Sequence, residues 1–461
     1  MEHCRCGPGV RWCTRADALF DVAGMHVLDV VREDGRLVLT VESDLDVAGC
    51  PTCGVLAVGH GRREHRVHDA PCFTVPTVVV WRKRVWRCAE PACATQTFSE
   101  THRLVGPRAK LTARAVGWAV DALAHDDTTV SALARHLGVD WHTLWDAVEL
   151  EATARVDDPD RLAGVATLGV DEHIWRRSGQ HSRGHDRAVT SMVDLTRDEH
   201  GCLHARLLDV VPGRSGTAYA AWLKDRPAEF TAGVEQAALD PFRGYANAIR
   251  DELPDAVAVL DAFHVVRLGT QVVDEVRRRV QQHTLGHRGH KHDPLYKVRG
   301  LLRHGAEHLT PRQVARLDAG LAAGDPTWEV TVAWQCYQQL RSIYHTRTPA
   351  EGRRIAEQVI TSFPTCPIGE VARLGRTLRA WRAQVLAYFD TGGVSNGGTE
   401  AINLLIEKTR RLAHGFRNFT HYRLRILLAA SGTRCYRRTA THAKLRRALK
   451  LSAAPREAGL T

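Results

Sequence analysis

Val165–Val170 is an apolar, β-branched run that leads into Asp171-Glu172-His173, and a second run, Val234–Leu239, leads into Asp240. A carboxylate at the end of a buried strand is costly to desolvate unless a cation meets it. A third acid, Glu400, follows the glycine-rich stretch Ser395-Asn-Gly-Gly-Thr, where Ser395 or Asn396 can cap a helix. Helical spacing puts Ile402, Leu405 and Ile406 on a buried stripe and Glu400, Asn403 and Glu407 on another face. That geometry alone admits Glu407 as well as Glu400. Oxygen donors of this kind suit hard divalent ions such as Mg2+ or Mn2+. Two such ions can activate a water or 3′-hydroxyl and stabilise the leaving oxygen in phosphodiester transfer. Without metal, converging carboxylates raise each other's pKa.

These acids need elements to hold them. Between Asp171 and Asp240 lie two more strand-like runs, Ala188–Leu195 and Leu203–Val211, then a helical segment around Ala218–Lys224. The order is β-β-β-α-β, with an acid ending the first and fourth strands. That is the order of a ribonuclease H-like α/β core, in which those two strands are neighbours. A fifth strand candidate, Val257–Leu260, leads into Asp261-Ala-Phe-His264. Asp261 competes with Asp240 for a metal, but strand order favours Asp240. Asp261 and His264 then serve as accessory residues beside the metals or against DNA, or form a buried Asp–His pair that orders the strand end.

A second constellation is made of thiols. Cys50-Pro-Thr-Cys53-Gly and Cys88 with Cys93 form two tight pairs flanking a strand-rich segment. Four soft ligands from two turns suit a structural Zn2+ with no open position for chemistry. His65, His68 and Cys72 lie between the pairs as substitutes for one ligand, and Cys4, Cys6 and Cys13 are surplus thiols or a second site.

Thr129–Trp145 has the pattern of a helix-turn-helix. Val130, Leu133, Ala134 and Leu137 line one face, Gly138 permits the turn, and Asp140 caps the next helix. Its exposed face, with His142 and Thr143, would enter the DNA major groove. The 461 residues carry a net charge of +11, with 44% hydrophobic and 25% charged residues. This describes a globular chain with a polyanionic partner, double-stranded DNA above all. No apolar run is long enough to span a bilayer, so a cytoplasmic protein with no membrane partner is expected. Arg36–Val41 and Thr74–Trp86 read as strands.

The expected organisation is multidomain α+β. A β-rich, zinc-ribbon-like region occupies 1–100 and the helix-turn-helix 105–155. The catalytic core begins at 163–267, is interrupted by an all-helical insertion at 268–390, and ends in a helical part at 391–450.

Taken together, these motifs resemble the insertion-sequence transposases of the ISL-three family. The likeness runs from about Leu19 onward through CPTCG, the helix-turn-helix, GVDE at Gly169–Glu172 and LDPFRGYANAI at Leu239–Ile249. It continues through VLDAFHVVR at Val259–Arg267, SNGGTEAIN at Ser395–Asn403 and HGFRNFTHYRLRILL at His414–Leu428. The resemblance implies a DDE transposase whose acids fall on Asp171, Asp240 and Glu400, with Asp261 and His264 in an accessory D-x-x-H motif. It implies N-terminal modules that bind terminal inverted repeats, and a core that cuts strands and joins 3′-hydroxyls to target DNA. A homo-oligomer associated with the bacterial nucleoid is expected, because two element ends must be brought together. Arg410, Arg411, Arg417 and Arg423 are candidate phosphate contacts or a solvated basic face.

Overall fold

The computed structural model describes residues 12–176 and 187–432. The chain divides into two compact units at Ala152/Thr153, and the stretch from Leu428 groups with the first. Cys4 and Cys6 lie outside the described residues.

In the first unit, α1 (Thr14–Phe20) precedes a sheet of β1 (Met25–Glu33), β2 (Arg36–Ser43), β3 (Val58–Cys72), β4 (Val75–Arg87) and β5 (Thr97–Ser99). The order is β1-β2-β4-β3, with β5 also on β4. Asp34 and Gly35 both have positive φ, the conformation that turns a two-residue hairpin from β1 into β2. Val41, Val67, Val79 and Trp81 pack one face of the sheet with Phe20, Met25 and Val27. The two expected strands appear as β2 and β4. The long β3 was not legible because residues 58–64 are exposed throughout and show no apolar alternation; its backbone pairing with β4 holds it.

Three helices follow: α2 (Ala113–His125), α3 (Val130–Leu137) and α4 (Trp141–Val156). Thr112 caps α2 and donates its hydroxyl to the buried Asp69 of β3 at 2.6 Å. Arg114 also bonds Asp69, so α2 is pinned to the sheet.

In the second unit, β6 (Thr167–Ile174), β7 (Ala188–Asp194) and β8 (Arg206–Pro212) form an antiparallel meander. After α5 (Gly216–Lys224) and α6 (Ala228–Gly233) comes β9 (Gln236–Leu239). Then α7 (Arg243–Glu252) leads to β10 (Val257–Leu260). β9 runs parallel to β6 and β10 parallel to β9, giving the order β10-β9-β6-β7-β8.

Strand parity decides what each face of this sheet carries. Leu168 and Val170 of β6 join Met192, Leu239, Leu260, Tyr219 and Trp222 in the core. Burying each such large apolar side chain is worth about 1.5–3 kcal/mol. The opposite face holds Gly169 and Asp171. A slip of one residue would exchange the two sets, so the apolar face fixes where the acids point. Asp171 does not end its strand as expected. β6 continues to Ile174 because β7 keeps pairing with it as far as Ala188.

A helical region follows directly on β10: α8 (Ala262–Leu285), α9 (Pro294–Val298), α10 (Pro311–Gly324), α11 (Glu329–Ser342), α12 (Pro349–Ser362), α13 (Gly369–Ala380) and α14 (Arg382–Asp390). It begins at Ala262, ahead of the expected 268, because Asp261 caps α8 by accepting from the His264 backbone N–H. The chain then returns as α15 (Gly397–Leu412) and α16 (Phe419–Ala430).

Candidate functional site

Three adjacent parallel strands bring acids to one level. Gly169 of β6 pairs with Ala238 of β9, and two residues further along each strand stand Asp171 and Asp240. Leu260 of β10 pairs with Leu239, so Asp261 follows beside Asp240. His264, in the first turn of α8, places Nδ1 2.9 Å from Oδ2 of Asp261 and 2.9 Å from Oδ1 of Asp240.

The two aspartates differ in how fully they are bonded. Asp261, 1% exposed, accepts from the His264 backbone and ring through Oδ2 and from the Asn396 backbone N–H through Oδ1. The His264 ring meets both carboxylates, so Oδ1 of Asp240, which has no other donor, shares Nδ1 with Asp261. A buried carboxylate oxygen with only a shared partner can still take a hard cation, for which the neighbouring carboxylates would supply further oxygen ligands.

The third acid arrives on α15. Asn396 donates its backbone N–H to Asp261 at 2.8 Å and its amide to the Val170 carbonyl at 3.1 Å. This close docking requires a glycine beneath it. A Cβ on Gly169 would lie 2.7 Å from both Asn396 Oδ1 and Thr399 Oγ1. One turn on, Asn403 donates its amide to Asp171 Oδ2 at 2.6 Å. Glu400 is exposed and forms no ion pair among the described residues, whereas Glu407 is held by Arg410 and Arg411.

Protonation reports the same convergence. Asp171 is pushed up to about 6, first by burial and then by the charge of Asp240, against the Glu172 backbone N–H and Asn403 amide. Glu400 is raised by burial and then by Asp261, with His264 opposing and Asp240 adding to it. Burial works to lower His264, but its contacts with Asp240 and Asp261 prevail and push it up to about 10. Glu407 is drawn down to about 2, chiefly by its hydrogen bond with Arg410. His173 is pushed down to about 4 by burial and then by Arg410.

The four cysteines meet in the first unit. The strand pair Val58↔Arg87 sets Cys53 and Cys88 at the same end of the β3–β4 ribbon. Sγ of Cys50 lies 3.8 Å from that of Cys93, and Sγ of Cys53 lies 3.5 Å from that of Cys88. All four sulfurs fall within 4.8 Å of one another, the spacing of ligands around one ion. The Cys53 backbone N–H outweighs burial and lowers Cys50 to about 6, while at Cys88 and Cys93 the Glu90 and Thr95 backbone N–H groups are outweighed by burial and the neighbouring sulfurs, which raise both. The proposed substitutes are elsewhere: His65 faces the Ala109 carbonyl and His68 the Leu137 carbonyl. Cys72 lies at the far end of β3, and Cys13 just before α1, outside the sulfur cluster.

The helix pair forms as its residues require. Val130, Leu133, Ala134 and Leu137 are buried on α3, and Gly138 turns with φ 69°. Asp140 caps α4, accepting from the Thr143 backbone and hydroxyl. His142 is exposed, while the Thr143 hydroxyl is engaged by Asp140. Of the candidate phosphate contacts, Arg417 is exposed with no acidic partner among the described residues. Arg410 and Arg411 pair with Glu407, and Arg423 bonds Asp209 at 2.6 Å. Sequence reasoning gave no role to Asn403 or Gly169. Asn403 sits one turn from Glu400 on the same face, which was the available signal.

Comparisons with known proteins show the family and its domains. Residues 168–426 match the model of the ISL3 DDE transposase domain, described as a transposase. Residues 46–93 match the zinc finger of transposases IS204, IS1001, IS1096 and IS1165. Residues 100–150 match the helix-turn-helix domain of transposase family ISL3. The transposase for insertion sequence element IS1001 of Bordetella parapertussis is 25% identical over 89% of this chain and 95% of its own length. That for IS1557 of Mycobacterium tuberculosis is 26% identical over 73% of this chain and 78% of its own length. The Drosophila P element transposase strand transfer complex aligns with a TM-score of 0.35 and 10% identity, over 70% of this chain and 92% of that one. A likeness at that score fixes neither fold nor function.

Proposed function

The chain belongs to the ISL3 family of transposases, with a zinc ribbon and a helix-turn-helix ahead of its DDE domain, and from that premise we propose a specific reaction. It binds the terminal inverted repeats of an insertion sequence, cleaves a strand at each end, and joins the freed 3′-hydroxyl to target DNA. Asp171, Asp240 and Glu400 are its metal ligands. The sheet that carries the first two is a ribonuclease H-like core, and α8–α14 are a helical insertion ahead of the third acid. Divalent ions held there would activate the attacking oxygen and stabilise the leaving one. The observation that carries this reading is the raised carboxyl of Asp171 beside Asp240, whose buried Oδ1 has only the His264 Nδ1 that it shares with Asp261.

The surrounding residues keep these oxygens in place. Asn403 fixes the rotamer of Asp171 by donating to Oδ2, leaving that carboxylate's remaining lone pairs for a cation. Asp261 ties His264 and Asn396 together and so joins α8 to α15, a positioning role that leaves Asp240 as the second ligand. The Cys50, Cys53, Cys88 and Cys93 cluster holds a structural zinc. The exposed face of α4, including His142, and Arg417 and Arg411 contact DNA. Among the described residues no helix is long and apolar enough to cross a membrane. A cytoplasmic homo-oligomer that pairs two element ends is the working state we assign.

The test uses labelled duplexes carrying the element's terminal repeat, with Mg2+ or Mn2+. Nicking and strand joining should be lost in Asp240→Ala and in Glu400→Ala. Metal-dependent nicking that survives either substitution would refute the ligand set, and cleavage without joined product would favour a nuclease.

A further inference from the structure

Four exposed cations, Arg36, Arg66, Lys110 and Arg135, stand around the turn between α3 and α4, all within the first unit. The sheet supplies two of them. Val38 of β2 pairs with Val78 of β4, and Val78 pairs with His68 of β3, so strand parity puts Arg36, His68 and Arg66 on one face. That face carries the helix pair, because His68 Nδ1 lies 2.9 Å from the Leu137 carbonyl oxygen at the end of α3. A Cβ on Gly138 would sit 3.8 Å from the guanidinium carbon of Arg36. Lys110 lies alongside, since its carbonyl accepts the His68 backbone N–H at 2.9 Å. Arg135 is in the last turn of α3. We propose that these four residues hold the phosphate backbone of the duplex whose groove α4 enters. The proposal rests on the transposase reading above and adds a contact surface to it.

Charge and place select the partner. None of the four makes an ion pair or a side-chain hydrogen bond among the described residues. Acids close by in the fold are engaged elsewhere: Asp140 caps α4 through Thr143, and Asp69 is buried against Thr112 and Arg114. Glu33 stands opposite Arg36 in the β1–β2 hairpin without an ion pair to it. His68 registers the gathered charge. Burial holds it below its usual range, the Leu137 carbonyl opposes this, and Arg36 and Arg66 add to the lowering. Cations without counter-ions repel one another, and a polyanion relieves that repulsion. An acidic protein surface would suit the charge alone, but these cations border the element that meets DNA. The second helix of such a pair meets base edges with its N-terminal residues, so cations around the turn before it stand beside the flanking phosphates. Contacts of this kind fix register and carry no sequence information.

The experiment measures affinity against salt by fluorescence anisotropy, without added divalent metal so that no strand is cut. Two duplexes are compared, the terminal repeat and an unrelated sequence of equal length. Arg36→Gln, Arg66→Gln, Lys110→Gln and Arg135→Gln should each lower the slope of log affinity against log salt by about one, equally on both duplexes. The four together should lower it by about three to four. Arg63 is exposed on the opposite face of β3, and Arg63→Gln should leave the slope unchanged. Arg36→Lys and Arg66→Lys keep the charge and should keep the slope, which separates a phosphate contact from a fold defect. An unchanged slope in the combined variant overturns the surface and leaves the transposase reading intact. An equal fall with Arg63→Gln also overturns it, as does a loss confined to the terminal repeat, which would make these residues readers of bases. Failure of the wild type to bind either duplex overturns the transposase reading and the surface with it.

Discussion

The cysteine cluster and the carboxylate centre are both groups of would-be metal ligands, and they are built in opposite ways. The four sulfurs come from two short loops at one end of the β3–β4 ribbon and lie within 4.8 Å of each other, which closes the coordination sphere. The acids come from separate strands and a helix far apart in sequence, and the charge of Asp240 raises Asp171. A closed set of soft donors holds a fold together, whereas an incomplete set of hard donors leaves room for a substrate. The cluster is therefore read as structural and the carboxylates as the place of reaction.

This contrast can be broken from either side. The largest effect is expected at the thiols. Structural zinc supplies about 10–16 kcal/mol of apparent binding energy that doubles as folding energy. Cys53→Ser, or stripping the ion with a strong chelator, should melt the ribbon and abolish binding to terminal-repeat DNA. Circular dichroism and a zinc assay on the same sample check this, and removing Mg2+ should produce no such melting.

At the carboxylates the sign reverses. Asp240→Asn should cost several kcal/mol of transition-state stabilisation, about 10³-fold or more in cleavage rate. It should change the melting temperature little, because the lost repulsion of Asp171 is offset by the lost ion pair with His264. Asp261→Ala should instead lower the melting temperature, since it strands the Asn396 N–H in the interior and takes one of two carboxylates from His264. If Asp240→Asn destabilises and Asp261→Ala does not, their roles are exchanged.

A subtler change is Gly169→Ala. Its methyl meets Asn396 and Thr399 at 2.7 Å, an overpacking worth about 1–3 kcal/mol, and pushes α15 away from the acids. Thermal melts and cleavage rates should fall together. The smallest effect is expected at Arg417→Ala, which should reduce the slope of log affinity against log salt by about one, without altering sequence preference.

Much of the fold was legible because apolar alternation and turn residues carry it. The buried face of α3 and the strands β2, β6, β7 and β10 follow from such patterns. β3 did not, since backbone pairing holds an exposed strand whatever its side chains. The site was legible in part. Strand order placed Asp171 and Asp240 near each other, but did not show that Asp261 stands level with them or that its hydrogen bonds are already satisfied. Glu400 and Glu407 lie two turns apart on one helix, and periodicity treats them alike. What separates them is that Glu407 is held by Arg410 and Arg411 while Glu400 lies near Asp261 and Asp240. Gly169 matters only because α15 docks upon it, a contact between residues more than 220 positions apart in the sequence.

The central claim is tested most directly by anomalous scattering from Mn2+ in crystals of the chain bound to terminal-repeat DNA. The account predicts anomalous peaks against the carboxylates of Asp171, Asp240 and Glu400, with Asp261 still hydrogen-bonded to Asn396 and His264. A peak held by Asp261 and His264, with Asp240 or Glu400 uncontacted, would contradict it.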